Sequence, residues 1–373
     1  WAYDLENKTK AVNFAADWDV SFTYFSKDGR YQVTGINADA QTKIEILDLA
    51  NQQKLSLPNM PAGDLRGVNF SRDGAKLVFY INSDTSPSNL YVHQLGSDSV
   101  KRLTDTGNPN ILEENLVAGE VVRFKSFDGL EIPGILYKPK QAETQKVPAL
   151  VWIHGGPGGQ SRKGYWALIQ HLVNNGYAIF KINNRGSSGY GKTFYHLDDK
   201  KHGDHDLKDV VYNKYYLQSL DWVDKDRIGV IGGSYGGYLT MAAMAFTDEF
   251  KVGVNIFGVT NWVRTLESIP PYWEAFRKSL YDELGDPSTD KERLHSISPV
   301  FFGHKVKSPV LVVQGKNDPR VLKIESDDMV EAIRAGGTYV DYLVFDDEGH
   351  GFSKKANRIE ASNKYLSFLQ AHL

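Results

Sequence analysis

The run Ile231-Gly232-Gly233-Ser234-Tyr235-Gly236-Gly237-Tyr238 sets a serine between a short apolar stretch, Arg227 to Ile231, and a longer one, Tyr238 to Ala245. The first reads as a buried strand and the second as a helix. Glycines two residues either side of the serine let strand and helix approach closely, so the turn between them is sharp and its apex projects the serine Oγ into a cleft. A glycine-rich loop with an incidental serine fits the same string. The choice between them rests on whether the rest of the chain supplies what such a serine needs.

A serine hydroxyl is a weak nucleophile near neutral pH, and it becomes useful only when a histidine takes its proton and a carboxylate orients that histidine. Both follow in the sequence. Pro309 to Gly315 has the composition of a core strand, and Lys316-Asn317-Asp318-Pro319-Arg320-Val321 leaves it as a loop. Val340 to Phe345 reads as a further strand, and Asp346-Asp347-Glu348-Gly349-His350-Gly351-Phe352 is its exit loop. Ser234, Asp318, His350 is the chain order of an α/β-hydrolase triad. Asp347 is the reserve carboxylate, to be preferred if Asp318→Asn keeps most of its activity.

After the strand Pro148 to Ile153 comes His154-Gly155-Gly156-Pro157-Gly158-Gly159, a loop of the HGGG type whose backbone N–H groups can bind a tetrahedral oxyanion. The expected donors are the N–H groups of Gly156 and Tyr235. His154 belongs to this loop and is not expected to act as the base.

Strands near Ala149, Ala178, Ile228, Val252, Val310 and Tyr339 alternate with helical stretches, the pattern of a mostly parallel sheet. The expected fold class is therefore α/β, an α/β-hydrolase over residues 116–373 that begins with an antiparallel pair around Asp128-Gly129. The N-terminal third differs. Phe25-Ser26-Lys27-Asp28-Gly29 and Phe70-Ser71-Arg72-Asp73-Gly74 repeat one phrase at a period of about 45 residues, within the range of a β-propeller blade. Residues 1–115 are thus expected to form a partial, all-β propeller of two blades and the end of a third. Since a closed propeller needs about four to eight blades, the missing ones are expected upstream. An open sheet edge then predicts pairing with that segment, or a homo-oligomer.

Composition narrows the function. The chain of 373 residues is 41% hydrophobic and 24% charged, ordinary for a soluble globular protein, and its net charge of −3 offers no electrostatic case for nucleic acid or an anionic membrane. With no cysteine there is neither a disulfide nor a thiolate metal site. No apolar run is long enough to span a bilayer, no metal or organic cofactor is implied, and the compartment, cytoplasmic or periplasmic, stays open.

The ordered set His154-Gly155-Gly156-Pro157, Asn184-Arg185-Gly186-Ser187-Ser188-Gly189-Tyr190-Gly191, Gly232 to Gly237, Asn317 to Val321 and Asp347 to Phe352 resembles the prolyl oligopeptidase family of serine peptidases. The acylaminoacyl-peptidase and dipeptidyl-peptidase-like bacterial branch is the nearest likeness, and it covers the chain from roughly Glu120 to the end. The resemblance implies hydrolysis of short peptides or acylated amino acids, with a propeller guarding the site. Two departures stand out. Many family members carry an oxyanion tyrosine where this chain has His154, and the paired glutamates that grip a free N-terminus in dipeptidyl peptidase IV-like enzymes are not found.

For the substrate pocket, Trp262, Tyr272, Trp273 and Phe276 form an aromatic-rich insert after the strand near Val252, and Arg185 and Arg320 are possible carboxylate or carbonyl clamps. Three functions fit: a serine peptidase acting through an acyl-enzyme on Ser234, a carboxylesterase using the same triad, and a non-catalytic propeller module carrying a relic hydrolase domain.

Overall fold

A computed structural model describes residues 1–373, the side chain of Pro271 excepted. The chain divides into two compact units. One comprises Trp1–Ala118 with Arg162–Trp166 and Gly189–Gly191; the other comprises Gly119–Ser161, Ala167–Ser188 and Lys192–Leu373.

The first unit is all-β. A small hairpin of β1 (Ala2–Asp4) and β2 (Thr9–Ala11) precedes two four-stranded antiparallel meanders, each with the form of a propeller blade. One runs β3 (Asp19–Phe25), β4 (Tyr31–Ala38), β5 (Gln41–Asp48) and β6 (Gln53–Lys54); the other runs β7 (Asp64–Phe70), β8 (Lys76–Ser83), β9 (Ser86–Gln94) and β10 (Val100–Arg102). The repeated phrase is the first turn of each blade, and its chemistry repeats with it. Ser26 Oγ donates to Asp28 Oδ1 at 2.6 Å and accepts from Tyr31 N at 2.9 Å, while Ser71 Oγ donates to Asp73 Oδ1 at 2.6 Å and accepts from Lys76 N at 2.9 Å. The glycines complete both turns in the left-handed region, at φ of 73° for Gly29 and 67° for Gly74. The blades share a core of Tyr31, Val33, Ile46, Leu65, Val68, Leu77, Phe79, Ile81 and Tyr91. Arg162, from a distant part of the chain, belongs to this unit because its guanidinium donates to Asn37 Oδ1 at 2.5 Å and to Thr42 Oγ1 at 2.8 Å.

The second unit is an α/β-hydrolase sheet of eight strands: β11 (Glu120–Lys125), β12 (Glu131–Tyr137), β13 (Val147–Ile153), β14 (Ala178–Ile182), β15 (Val223–Gly233), β16 (Gly253–Ile256), β17 (Val310–Gly315) and β18 (Val340–Phe345). Their spatial order is β11-β12-β14-β13-β15-β16-β17-β18. β11 and β12 are antiparallel, and every pairing from β14 to β18 is parallel. The helices are α1 (Ala167–Asn174), α2 (Gly191–Tyr195), α3 (His205–Ser219), α4 (Tyr235–Phe246), α5 (Trp262–Glu267), α6 (Glu274–Leu284), α7 (Lys291–Ser296), α8 (Lys323–Ala335) and α9 (Lys355–His372). Strands covered on both faces are mostly apolar, and β14 and β17 are buried from end to end, with Lys181 and Gln314 as their polar members. α4 is buried on every side, and its composition, rich in Ala, Met, Leu and Tyr, matches that position. Among the described residues, no helix is long and apolar enough to cross a membrane.

Candidate active site

Ser234, Asp318 and His350 follow β15, β17 and β18, so all three sit at the carboxyl ends of parallel strands. Ser234 is the turn between β15 and α4. Its φ of 59° and ψ of −119° lie where a side chain is disfavoured, at a cost of about 1–3 kcal/mol that the surrounding packing must sustain. Ser234 N donates to Ile256 O at 3.0 Å, which ties the apex to β16. The flanking glycines answer a steric demand. A Cβ on Gly236 would lie 2.2 Å from Ile153 O, and one on Gly232 would lie 2.4 Å from Gly236 O.

His350 Nε2 is 3.0 Å from Ser234 Oγ, and His350 Nδ1 is 2.7 Å from Asp318 Oδ2. The other carboxylate oxygen, Asp318 Oδ1, accepts from Arg320 N at 2.8 Å and Val321 N at 2.9 Å. With its side chain fully buried, Asp318 is therefore held by the backbone of its own loop while it faces the imidazole. Asp347 points elsewhere, into an exposed pairing with Lys354 Nζ and Asn357 Nδ2. Glu348 is buried and shapes the histidine loop by accepting from Ser353 N at 3.0 Å and Lys354 N at 2.8 Å. Phe257, which no motif marks, lies with its ring centroid 4.7 Å from that of His350 and has a φ of 42°. Only the pairing of β16 with its neighbours reveals it, because Phe257 N donates to Val313 O at 2.8 Å.

Gly156 and Tyr235 line one cavity with Ser234 and His350. Tyr235 is the first residue of α4, so its N–H has no partner inside the helix and stands at the positive end of the helix dipole. The Tyr235 side chain turns away from the cavity's chemistry: its hydroxyl donates to the buried carboxylate of Asp206. His154 is half-buried, with Nδ1 2.8 Å from Gly155 O and Nε2 2.8 Å from Ser187 Oγ, and desolvation lowers its pKa to about 4. A neutral imidazole held at both nitrogens braces the glycine loop. Gly156→Pro removes an N–H and imposes a φ near −65° where the chain has 153°; turnover is expected to fall about a hundredfold or more, measured as kcat on a p-nitrophenyl ester with folding checked by circular dichroism. Near-normal kcat would remove Gly156 from the oxyanion role.

The cavity has a volume of about 470 Å³ and an apolar lining in which Val259, Trp262, Ile269, Trp273, Phe276 and Leu280 take part. Arg320 stands in the same wall, its guanidinium 6.0 Å from the Trp273 ring centroid. Of the six residues expected to shape the pocket, Trp262, Trp273, Phe276 and Arg320 are brought to it. Tyr272 is not: it is 75% exposed and meets Trp273 from outside. Arg185 is also not a clamp here. Its guanidinium is buried and donates to Asp209 and, bidentately, to Asp128, while its face lies 4.5 Å from the Phe127 ring centroid. The sequence shows an arginine in a glycine-rich loop but not the two acids, 57 and 24 residues away, that occupy it. Arg185→Ala leaves Asp209 buried and uncompensated, so stability is expected to drop by about 3–5 kcal/mol in denaturant unfolding, with KM unchanged. A large rise in KM without loss of stability would restore the clamp.

Comparison with known proteins gives one family and several relatives. The prolyl oligopeptidase family matches residues 165–373. Dipeptidyl peptidase family member 6 of Caenorhabditis elegans is 32% identical over 340 residues, covering 84% of this chain and 46% of that protein. Dipeptidyl aminopeptidase BIII of Pseudoxanthomonas mexicana is 31% identical over 379 residues, 95% of this chain and 55% of that one. Among solved structures, a puromycin-hydrolyzing peptidase of Mycobacterium tuberculosis superposes with a TM-score of 0.88 at 20% identity, over 96% of this chain and 56% of that one. The acylaminoacyl peptidase of Pyrococcus horikoshii does so with a TM-score of 0.82 at 24% identity, again over 96% and 56%. These two likenesses carry the fold. The chain spans about half the length of the curated relatives it matches.

Proposed function

Because the chain belongs to the prolyl oligopeptidase family of serine peptidases, we propose that it hydrolyses amide bonds of short peptides or N-acylated amino acids through an acyl-enzyme on Ser234. The observation that carries this reading is the hydrogen-bonded line from Asp318 through His350 to Ser234 Oγ, opening on an apolar cavity. In the first step Ser234 Oγ attacks the scissile carbonyl and His350 Nε2 takes its proton, while Asp318 holds Nδ1–H and so fixes the tautomer. The oxyanion that develops is met by the N–H groups of Gly156 and Tyr235. His350 then gives the proton to the departing amine, and the acyl-enzyme is cleared by a water that the same imidazole activates. No metal or organic cofactor takes part in these steps.

The cavity sets the preference. Trp262, Trp273, Phe276 and Leu280 offer a large apolar residue an apolar contact surface, and Arg320 adds one cation that suits a substrate carbonyl or carboxylate. The names of the relatives include a dipeptidyl aminopeptidase and an acylamino-acid-releasing enzyme, so the free or acylated state of the substrate N-terminus is what an assay must separate. The test is hydrolysis of N-acetyl-leucyl p-nitroanilide against leucyl p-nitroanilide and a leucyl dipeptide p-nitroanilide, with Ser234→Ala as control. Cleavage of any of these that vanishes in the control supports a peptidase, and the ratio among them assigns the substrate class. Turnover of p-nitrophenyl esters with no amide cleavage would replace this reading with a carboxylesterase.

A further inference from the structure

A second group of reactive side chains lies outside the cavity. Asp198 and His202 come from the loop between α2 and α3, and Glu283 comes from the last turn of α6. Each turns one donor atom toward the others, and the three atoms lie within 4.8 Å of one another. His202 Nε2 is 3.3 Å from Asp198 Oδ2 and 3.7 Å from Glu283 Oε1. The side chains are 0%, 1% and 10% exposed, in the order His202, Asp198, Glu283, so solvent does not satisfy them. Among the described residues, neither ring nitrogen of His202 has a hydrogen-bond partner, and Asp198 Oδ1 and Glu283 Oε1 lack one as well.

This arrangement is costly unless something fills it. Buried polar groups are almost always paired, and two carboxylates facing one imidazole carry more negative charge than a single protonated ring can balance. A third carboxylate is close by but already engaged: Asp206 accepts from Gly203 N at 2.7 Å, from Leu207 N at 2.8 Å and from the Tyr235 hydroxyl. The acids also have no room to separate. Asp198 Oδ2 lies 1.9 Å from where a Cβ on Gly186 would stand, and Lys200 N donates to Glu283 O at 2.7 Å, which fastens the loop to α6.

We propose that Asp198, His202 and Glu283 form a buried binding site for a divalent cation of the zinc type. The spacings of 3.3 and 3.7 Å bracket the edge of a tetrahedron whose bonds are about 2.0–2.2 Å, the range for zinc with imidazole nitrogen and carboxylate oxygen. One nitrogen and two oxygens suit zinc better than calcium or magnesium, which favour all-oxygen shells. Two positive charges balance the two acids with the imidazole neutral, as a ligand must be. The role is structural. His202 packs edge-on to Tyr235 at 5.7 Å between ring centroids, and Gly203 and Tyr235 share Asp206, so an ion here stiffens the loop that anchors the first residue of α4.

The test uses the intact protein, stripped with a chelator, dialysed and equilibrated with zinc chloride at micromolar concentration, with bound metal measured by mass spectrometry. One zinc per chain is expected, with a rise in melting temperature. Asp198→Asn and Glu283→Gln, which keep shape and remove charge, are each expected to weaken binding at least about tenfold. His350→Ala is expected to leave the stoichiometry unchanged, which separates this site from the triad. X-ray absorption of the zinc-loaded wild-type protein provides a reading that needs no variant: one imidazole nitrogen with carboxylate oxygens is expected. No stoichiometric zinc, full affinity in both acid variants, or a spectrum with two or more imidazoles would overturn the proposal.

Discussion

Ser234→Ala is expected to lower kcat on an N-acyl p-nitroanilide about 10⁶-fold, the scale seen when the nucleophile of a serine hydrolase is removed. The oxygen lost is the atom 3.0 Å from His350 Nε2, and Ser187 Oγ, another serine near the glycine loop, is already engaged, 2.8 Å from His154 Nε2 and 2.6 Å from Asn184 O. What survives is the contribution of the oxyanion donors and of binding, about 10³–10⁴ over water in comparable enzymes. Alanine is strained in the turn no more than serine is, since the φ of 59° at Ser234 is resisted equally by any β-carbon. The variant should therefore fold with wild-type stability, and a melting curve checks this. Activity within tenfold of wild type would place the nucleophile elsewhere.

Asp318→Asn is expected to lower kcat by about 10⁴-fold with KM little changed, the loss that follows when the triad histidine is held in the wrong tautomer. The backbone makes this sharper than a generic charge removal. Arg320 N and Val321 N both donate to Asp318 Oδ1, so the amide oxygen of an asparagine keeps that position and its NH₂ is turned to His350 Nδ1. Nδ1 must then accept, Nε2 carries the proton, and Ser234 loses its base. Asp347→Asn is the companion measurement. Its carboxylate meets Lys354 and Asn357 at an exposed site, so kcat is expected to stay within about twofold, as surface ion pairs contribute about 0–1 kcal/mol. If Asp347→Asn were the damaging change and Asp318→Asn the mild one, the orienting carboxylate would be the other acid.

The two halves of the chain were legible to different depths. The elbow, the glycine loop and the strand-end positions of Asp318 and His350 can be read because each is a local demand: a turn that needs glycine, a buried parallel strand that is mostly apolar. The blade turns are legible for the same reason, as Ser26 with Asp28 and Ser71 with Asp73 close within a few residues. Arg185 shows where such reading stops. Its loop is identifiable, but its occupation by Asp128 and Asp209 depends on strands and helices that meet only in the folded sheet. Tyr272 fails likewise, since an aromatic residue beside Trp273 has no local signal for which of the two faces inward.

By itself, the sequence determined the alternation of strands and helices, the strand-end positions of Ser234, Asp318 and His350, and the glycine-flanked turns that carry them. Those properties follow from backbone sterics and from the period of apolar residues, both set within a dozen residues. The tertiary structure alone decided which aromatic side chains line the cavity, that Phe257 lies against His350, that Arg185 is spent on two buried acids, and that Asp198, His202 and Glu283 converge. Each of those depends on contacts between segments far apart in the chain, and side-chain direction there is settled by packing against neighbours that no local pattern encodes.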